Sequence, residues 1–530
     1  MSARKTDPGK TVIIGGGHNG LVAASYLARA GHHVTLLEAA GQLGGAAVTG
    51  EIAPGFKAPT VAHILHLLSP TVARDLQLES HGLSLSAKRL DTVNLDEAGG
   101  HVSLRDGQVL RASRSPISDD DKANLAKLHR RLVRFAGALR HYLERQAPRL
   151  GTRNTDDLVT LGKLGLSLRL LGKQDMREFL RIAGINVYDV LEDELANPLI
   201  KGAYGLDAVL GTHLGPRSPG SLITLLYRMA GRVDGAAGAL ALPRGGMGAV
   251  TQALAKAAQA AGAELRCDSP VARILVDGDR AVGVELDDGT TVPADRVVSN
   301  ADPKRTFLEL LGPGELDTGF LRRIKHLRMR GTAAKLNLAL DGLPGFRGLS
   351  PEDLMGRILV APSADYVERA FNHVKYGELS DKPALEITLP TLQDASLAPG
   401  GKHVCSVVVH YAPYDLKGGW DQAREAFADK LIAQLAHYAP DLPDKLVARQ
   451  LITPLDLERD FRMTGGQWHH GELALDQFYM LRPVPGAGQY ATPLPGLYLC
   501  GAGCHPGGGV MGAAGLNAAK RVLADQEAGT

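Results

Sequence analysis

Three glycines and one carboxylate carry the clearest chemistry in the chain: Gly15, Gly17 and Gly20 of GGGHNG, and Glu38 eighteen positions after Gly20. A glycine at the first position admits a tight strand-to-helix turn. The second lets the backbone approach a pyrophosphate, and the third lets the helix lie close on the strands. A helix starting there would turn free N–H groups and about half a positive charge toward the phosphates. Glu38 falls near the roughly 20-residue offset at which a carboxylate reaches a ribose hydroxyl, and it would repel a 2′-phosphate. The spacing therefore implies FAD or NAD and excludes NADP.

The elements that must hold these residues stand in order: an apolar strand TVII, a small-residue helix LVAASYLARAG, and a second strand HVTLLE. Together they read as a βαβ nucleotide unit. Gly44 and Gly45 just beyond permit a further close backbone approach to a ligand.

With 530 residues the chain exceeds what one core usually supports, so two domains are expected. A formal charge of +2 offers no field for nucleic acid, and no nucleic-acid partner is expected. The polar stub before Thr11 leaves no room for a targeting helix, and no run of 18 uncharged apolar residues appears. These features predict a cytoplasmic protein, with peripheral membrane contact left open. Cys267, Cys405, Cys500 and Cys504 are too scattered for a disulfide framework. The run CGAGC reads as small residues at a crowded strand end.

From Leu90 the pattern changes to short strands joined at Asp106-Gly107. Ser118 with Asp121 then predicts a capped helix bearing Leu125, Leu128, Leu132, Phe135 and Leu139 on one stripe. Its basic residues, among them Arg131 and Arg134, read as a solvated face or as contact with anionic lipid. Apolar positions 158, 161, 164, 168 and 171 predict a core or lid helix, with a membrane-dipping entrance as the other reading. A nucleotide-domain pattern returns at Leu242, with short strands near 271–276, 281–286 and 297–298. It breaks off again for a mixed segment with strands at 333–340 and 404–410 and a helix near 422–437. The close of the chain is strand, glycine loop and helix.

The resulting expectation is an α/β protein: a discontinuous FAD-binding Rossmann-like domain of glutathione-reductase type from residues 1–87, 235–303 and 488–530. Residues 88–234 and 304–487 would form an inserted α+β substrate domain with a helical lid.

The runs GGGHNGLVAASYLARAG, GGAAVTGEIAPGFK, LGTHLGPRSPGSLITLLYR, ALPRGGMGAV, RVVSNADP, HHGELALDQFYMLRPVP and GLYLCGAGCHPGGGVMGAAGLNAAK span nearly the whole chain. By them it resembles the phytoene-desaturase-like branch of the FAD-dependent oxidoreductases, including its carotene-ketolase and pyridine-nucleotide-disulphide-oxidoreductase-domain members. The resemblance implies that Gly15, Gly17, Gly20 and Glu38 bind the ADP half of FAD. It puts Gly44 and Gly45 at the pyrophosphate and the backbone of Val271 at the adenine. It further implies that Gly501 and Gly503 line the flavin and that the helix after Gly512 faces the pyrimidine ring. Many relatives have Asp where this chain has Ala502 or Gly503, which puts one hydrogen bond to the cofactor in doubt.

No second fingerprint is legible among the glycine clusters at 245–248, 342–348, 486–488 and 501–509. Electrons should therefore leave for oxygen, a quinone or another diffusible acceptor. The implied activity is hydride removal, as desaturation, dehydrogenation or oxidation, from a largely apolar, isoprenoid or polyene-like small molecule. His470 and Glu472 in WHHGE, with His505 beside the ring, are the candidate proton-handling groups. Adjacent histidines, expected to point apart in a strand, lack the i, i+4 spacing of a metal pair, so no metal is expected. Two other readings remain: an amine oxidase-like flavoenzyme, which a 5% aromatic content disfavours, and a flavin-containing interaction protein with lapsed catalysis.

Overall fold

A computed structural model describes residues 9–114, 116–149, 151 and 153–528. Five parallel strands form the nucleotide sheet: β1 (Lys10–Ile14), β2 (His33–Leu37), β3 (Glu264–Arg266), β4 (Arg296–Ser299) and β5 (Leu497–Leu499). Their spatial order is β3-β2-β1-β4-β5, so three sequence-distant pieces build one layer. Both faces are covered, which is why VII and LYL read as continuous apolar runs. Helix His18–Arg29 packs against helices Gly248–Ala260 and Ala513–Ala528. Small residues permit that closeness. A Cβ on Gly20 would lie 2.2 Å from Gly15 O, and one on Gly515 would lie 2.2 Å from Asn19 O.

Strands from both intervening regions merge in an eight-stranded sheet. Its order is Leu446–Ile452, Ala333–Leu340, His403–His410, Ala384–Thr388, Arg357–Val360, Thr92–Leu95, His101–Arg105 and Gln108–Ser113. All neighbours are antiparallel except the parallel pair Arg357–Val360 and Thr92–Leu95. Strand alternation sorts the central side chains into two faces. Leu336, Leu338, Val407, Val409, Leu385 and Ile387 join Phe427, Leu431 and Leu435 of helix Trp420–Tyr438 in one apolar core. The opposite face is polar yet buried: Lys335, Asn337, Ser406, His410, Glu386 and Thr388.

The expected turn at Asp106-Gly107 is present, both residues having positive φ. Helix Asp119–Leu143 is capped by Ser118 Oγ, which accepts from Asp121 N at 3.1 Å. Asp121 does not close a capping box. Its carboxylate accepts instead from Ala196 N and Asn197 N, at 2.9 and 2.7 Å. Part of the basic face is consumed internally, since Arg131 pairs with Glu194 and Arg134 with Asp175.

The core or lid helix expected over 158–171 is present and packs only in part on the core. Helix Thr155–Arg169 buries no residue and leaves Leu158 51% and Leu166 54% exposed. Its stripe turns inward all the same: Leu161, Leu164 and Leu168 are half-buried, Leu168 packs against the larger apolar core, and Leu171 just beyond the helix is buried in it. Among the described residues no helix is long and apolar enough to cross a membrane.

Candidate active site

A cavity of about 580 Å3 opens at the carboxyl ends of β1 and β2 and continues to the polar face of the eight-stranded sheet. That volume is ordinary for a small-molecule site.

At the nucleotide end Gly15, Gly17, Glu38, Gly44, Gly45 and Val271 line the cavity. Glu38 is fixed by two backbone donors, Gly16 N to Oε2 at 2.7 Å and Ala40 N to Oε1 at 2.9 Å. A carboxylate so held keeps lone pairs for a ribose hydroxyl. Gly15 takes φ +95, a left-handed conformation that favours glycine, and Asn300 Nδ2 donates to its carbonyl at 3.2 Å. Gly20, Gly501, Gly503 and Gly512 do not line the cavity, contrary to the cofactor contact expected of all four. They set the frame: a Cβ on Gly501 would meet Asn300 O at 2.6 Å, and one on Gly503 would meet Pro303 Cδ at 2.5 Å. Gly512 has φ +79 just before helix Ala513–Ala528. Ala502, Gly509 and Val510 face the cavity in their place.

The residues fit a dinucleotide on an observation independent of the motif. His18 and Asn19, the first residues of the helix after Gly17, line the cavity, and His18 Nε2 and Asn19 Oδ1 are buried without a hydrogen-bond partner among the described residues. Unpaired buried polar atoms are costly unless a ligand satisfies them.

The three candidate proton-handling residues are not brought together. His470 lines the cavity beside His18 and His469. It sits in a turn at φ +55, so the two adjacent histidines do not alternate in a strand as expected. Burial lowers all three imidazoles, His18 to about 4 and His469 to about 3, leaving them neutral at pH 7. Glu472 lies behind the cavity wall, paired with Arg328 Nε at 3.0 Å, and burial raises its carboxyl against that cation. His505 is also behind the wall: its Nε2 donates to Tyr142 O at 2.8 Å, and Tyr479 meets its ring edge-on. Glu472 and His505 are anchors of the loop, and His470 alone of the three faces the cavity.

Arg482, unremarked in the sequence, is 1% exposed and donates to six backbone carbonyls, those of Ala502, Cys504, His469, Gly471, Glu472 and Gln477. His18 carried a legible signal, standing inside the glycine motif itself. Arg482 carried none, because its partners are carbonyls and any sequence supplies those.

At the sheet end the cavity meets His63, His66, Asp207, Arg228 and Glu386. His63 Nε2 lies 2.9 Å from Glu386 Oε1, and burial lowers His63 to about 4, so this is a neutral imidazole donating to a carboxylate. Burial alone would raise Glu386. The His63 hydrogen bond and the Arg357 and Arg228 charges hold it well below the usual range. Arg357 Nη1 reaches Glu386 Oε2 at 2.8 Å and Asp207 Oδ1 at 2.6 Å. Ser406 Oγ, 3.4 Å from His63 Nδ1, completes the order of a hydrolase triad, but it donates to Asn337 Oδ1 at 3.1 Å and does not line the cavity.

A nucleotide sheet joined by one cavity to a second sheet is the architecture of FAD-dependent oxidoreductases. Residues 20–523 match the family described as flavin containing amine oxidoreductase, and the chain belongs to that family. Pyridine nucleotide-disulfide oxidoreductase domain-containing protein 2 of Mus musculus is 36% identical over 97% of this chain and 93% of its own. Hydroxyneurosporene desaturase of Cereibacter sphaeroides is 28% identical over 97% of this chain and 98% of its own. These likenesses fit the phytoene-desaturase-like branch. Putrescine oxidase bound to putrescine shares the fold, with a TM-score of 0.61 at 17% identity over 98% of this chain and 99% of that one. The protein is an enzyme of this class and its cofactor is FAD.

Proposed function

We propose that the enzyme removes a hydride from a carbon of a largely apolar, isoprenoid- or polyene-type molecule and that the electrons pass to oxygen or a quinone. The observation that carries this reading is the continuity of the cavity: beyond the nucleotide cleft it runs past Val61, Ile64, Leu67, Leu210 and Leu473. FAD, when bound, supplies the hydride acceptor. Gly15, Gly17, Glu38, Gly44, Gly45 and Val271 would hold its nucleotide half. The aliphatic side chains exclude water and take up the apolar body of the substrate. His470, neutral and with Nδ1 unpartnered among the described residues, is placed to accept a proton.

Anaerobic titration of the yellow holoprotein with isoprenoid or polyene lipids tests the reading, with bleaching of the flavin band expected. Bleaching by polyamines and by no lipid fraction would overturn it in favour of amine oxidation. The fold shared with putrescine oxidase supports that second reading. Against it, the cavity carboxylates Asp207 and Glu386 are already engaged by arginines.

We place the protein in the cytoplasm, in peripheral contact with a membrane. What supports the contact is an exposed apolar surface, Val159 at 52% and Leu170 at 74% together with Leu158, Leu166 and Leu180, interspersed with Lys163, Arg169 and Lys173.

A further inference from the structure

The charged cluster at the sheet end of the cavity plays no part in hydride removal as described above, and its hydrogen bonding is one-sided. Every carboxylate oxygen in it is engaged. Glu386 Oε1 has His63 Nε2, and Glu386 Oε2 has Arg357 Nη1 at 2.8 Å and Arg228 Nη2 at 3.4 Å. Asp207 Oδ1 has Arg357 Nη1 at 2.6 Å and Arg228 Nε at 2.9 Å, while Oδ2 has Arg357 Nη2 at 3.0 Å.

The donors are not exhausted. Arg228 lines the cavity, and its Nη2 reaches Glu386 Oε2 only at 3.4 Å, the long limit of a hydrogen bond. His66 lines it too, with Nδ1 unpartnered among the described residues, a donor or an acceptor according to the tautomer. Lys335 shares the polar sheet face with Glu386, the two being joined through Val408, which they both flank in register and which itself lines the cavity. It is 1% exposed and its Nζ has no hydrogen-bond partner among the described residues.

Charges follow the same bias. Arg228, Arg357 and Lys335 stand against Asp207 and Glu386, three cations to two anions, because burial keeps His63, His66 and His410 neutral. An uncompensated buried cation is unfavourable, and the site responds as expected: burial lowers Lys335 to about 7, with Glu386 opposing.

We propose that the sheet end of the cavity binds the carboxylate of the substrate, with Arg228 donating to it and Lys335 supplying the balancing charge. This deepens the reading of the cavity as a substrate site and rests on it. The substrate class becomes an apolar chain or ring system ending in an acid. An amine would find no free carboxylate there.

The test is calorimetric titration of the FAD-loaded protein with dodecanoate, dodecanol and dodecylamine, each below its aggregation limit. Binding is read without turnover, so the result is independent of whether any lipid bleaches the flavin. Dodecanoate should bind at one site per chain roughly tenfold or more tighter than dodecanol, with dodecylamine weakest.

From about pH 6 to about pH 8.5 that advantage should shrink severalfold as Lys335 loses its proton. Across this range Glu386 stays ionised, the Cys405 thiol stays protonated, and His63, His66 and His410 stay neutral. Lys335→Met should abolish both the preference and its pH dependence while the protein stays yellow. Should that variant lose flavin, the pH series on the unaltered protein decides by itself. Equal binding of acid and alcohol, tighter binding of the amine, or a pH-independent preference would each overturn the proposal.

Discussion

Arg482 Nη2 donates to Ala502 O at 2.8 Å, tying the loop that carries His469 and His470 to the glycine hairpin that faces the cofactor. The guanidinium has no carboxylate partner among the described residues and is spread over six carbonyls, and burial lowers it to about 10. It therefore organises backbone and also leaves a positive charge behind the wall of the cofactor site.

Arg482→Met should cost at least about 3 kcal/mol, because several buried carbonyls lose their donor together. Thermal melting and flavin content of the purified protein are the readouts. A variant that stays yellow and melts with the parent would show that the clamp is dispensable.

Gly20→Ala places a Cβ 2.2 Å from Gly15 O, a clash with backbone that no rotamer relieves. The helix must move away from β1, at about 1–3 kcal/mol, and the cradle for the pyrophosphate widens with it. Flavin retention after gel filtration should drop sharply, whereas Gly162→Ala, with open space around it, should leave retention unchanged.

Replacing Glu38 by Gln keeps the volume but removes the charge that Gly16 N and Ala40 N both hold. FAD affinity, measured by fluorescence on titrating the apoprotein, should fall by about tenfold. Unchanged affinity would mean that the carboxylate does not meet the ribose.

Stability should fall steeply in mild acid. His18, His63, His410 and His505 have pKa values near 4 in the folded state, and His66 and His469 near 3, all lowered chiefly by burial. Below about 6.5 the unfolded chain takes up protons that the folded chain refuses. The stability is fully present above that pH and is lost as pH falls toward 4, by up to about 1.4 kcal/mol per pH unit for each histidine. Melting temperature against pH checks this; a flat profile between pH values of about 6.5 and 5 would contradict it.

The exposed stripe of helix Thr155–Arg169 gives the membrane proposal its own test. Leu166→Ser with Leu170→Ser should cut cosedimentation with anionic vesicles severalfold without lowering the melting temperature, since neither side chain is buried. Equal cosedimentation of parent and variant would remove the stripe from consideration.

Much of the nucleotide half was legible because its signals are local. Turn, helix start and acid all lie between Gly15 and Glu38, and a left-handed turn or a close helix contact can be met only by particular residues. Strand Ala333–Leu340 was readable for the same reason, as a run of the right length and composition. The helix after Asn154 was read correctly as a helix, but how far it is covered was not legible: Leu168 and Leu171 meet the core while Leu166 and Leu170 stay exposed. Periodicity reports a face, and only a neighbouring element decides whether that face is covered.

The sequence by itself determined the cofactor and the sheet that carries it. Only the tertiary structure decided which histidine meets the cavity and what stands at its far end. His63, Asp207, Arg228, Lys335 and Glu386 come from five separate stretches of chain, and each is unremarkable where it stands. Their meaning is electrostatic and depends on distance through a dry interior, where charges a few ångströms apart dominate one another. No spacing along the chain encodes that distance; strand register and burial do.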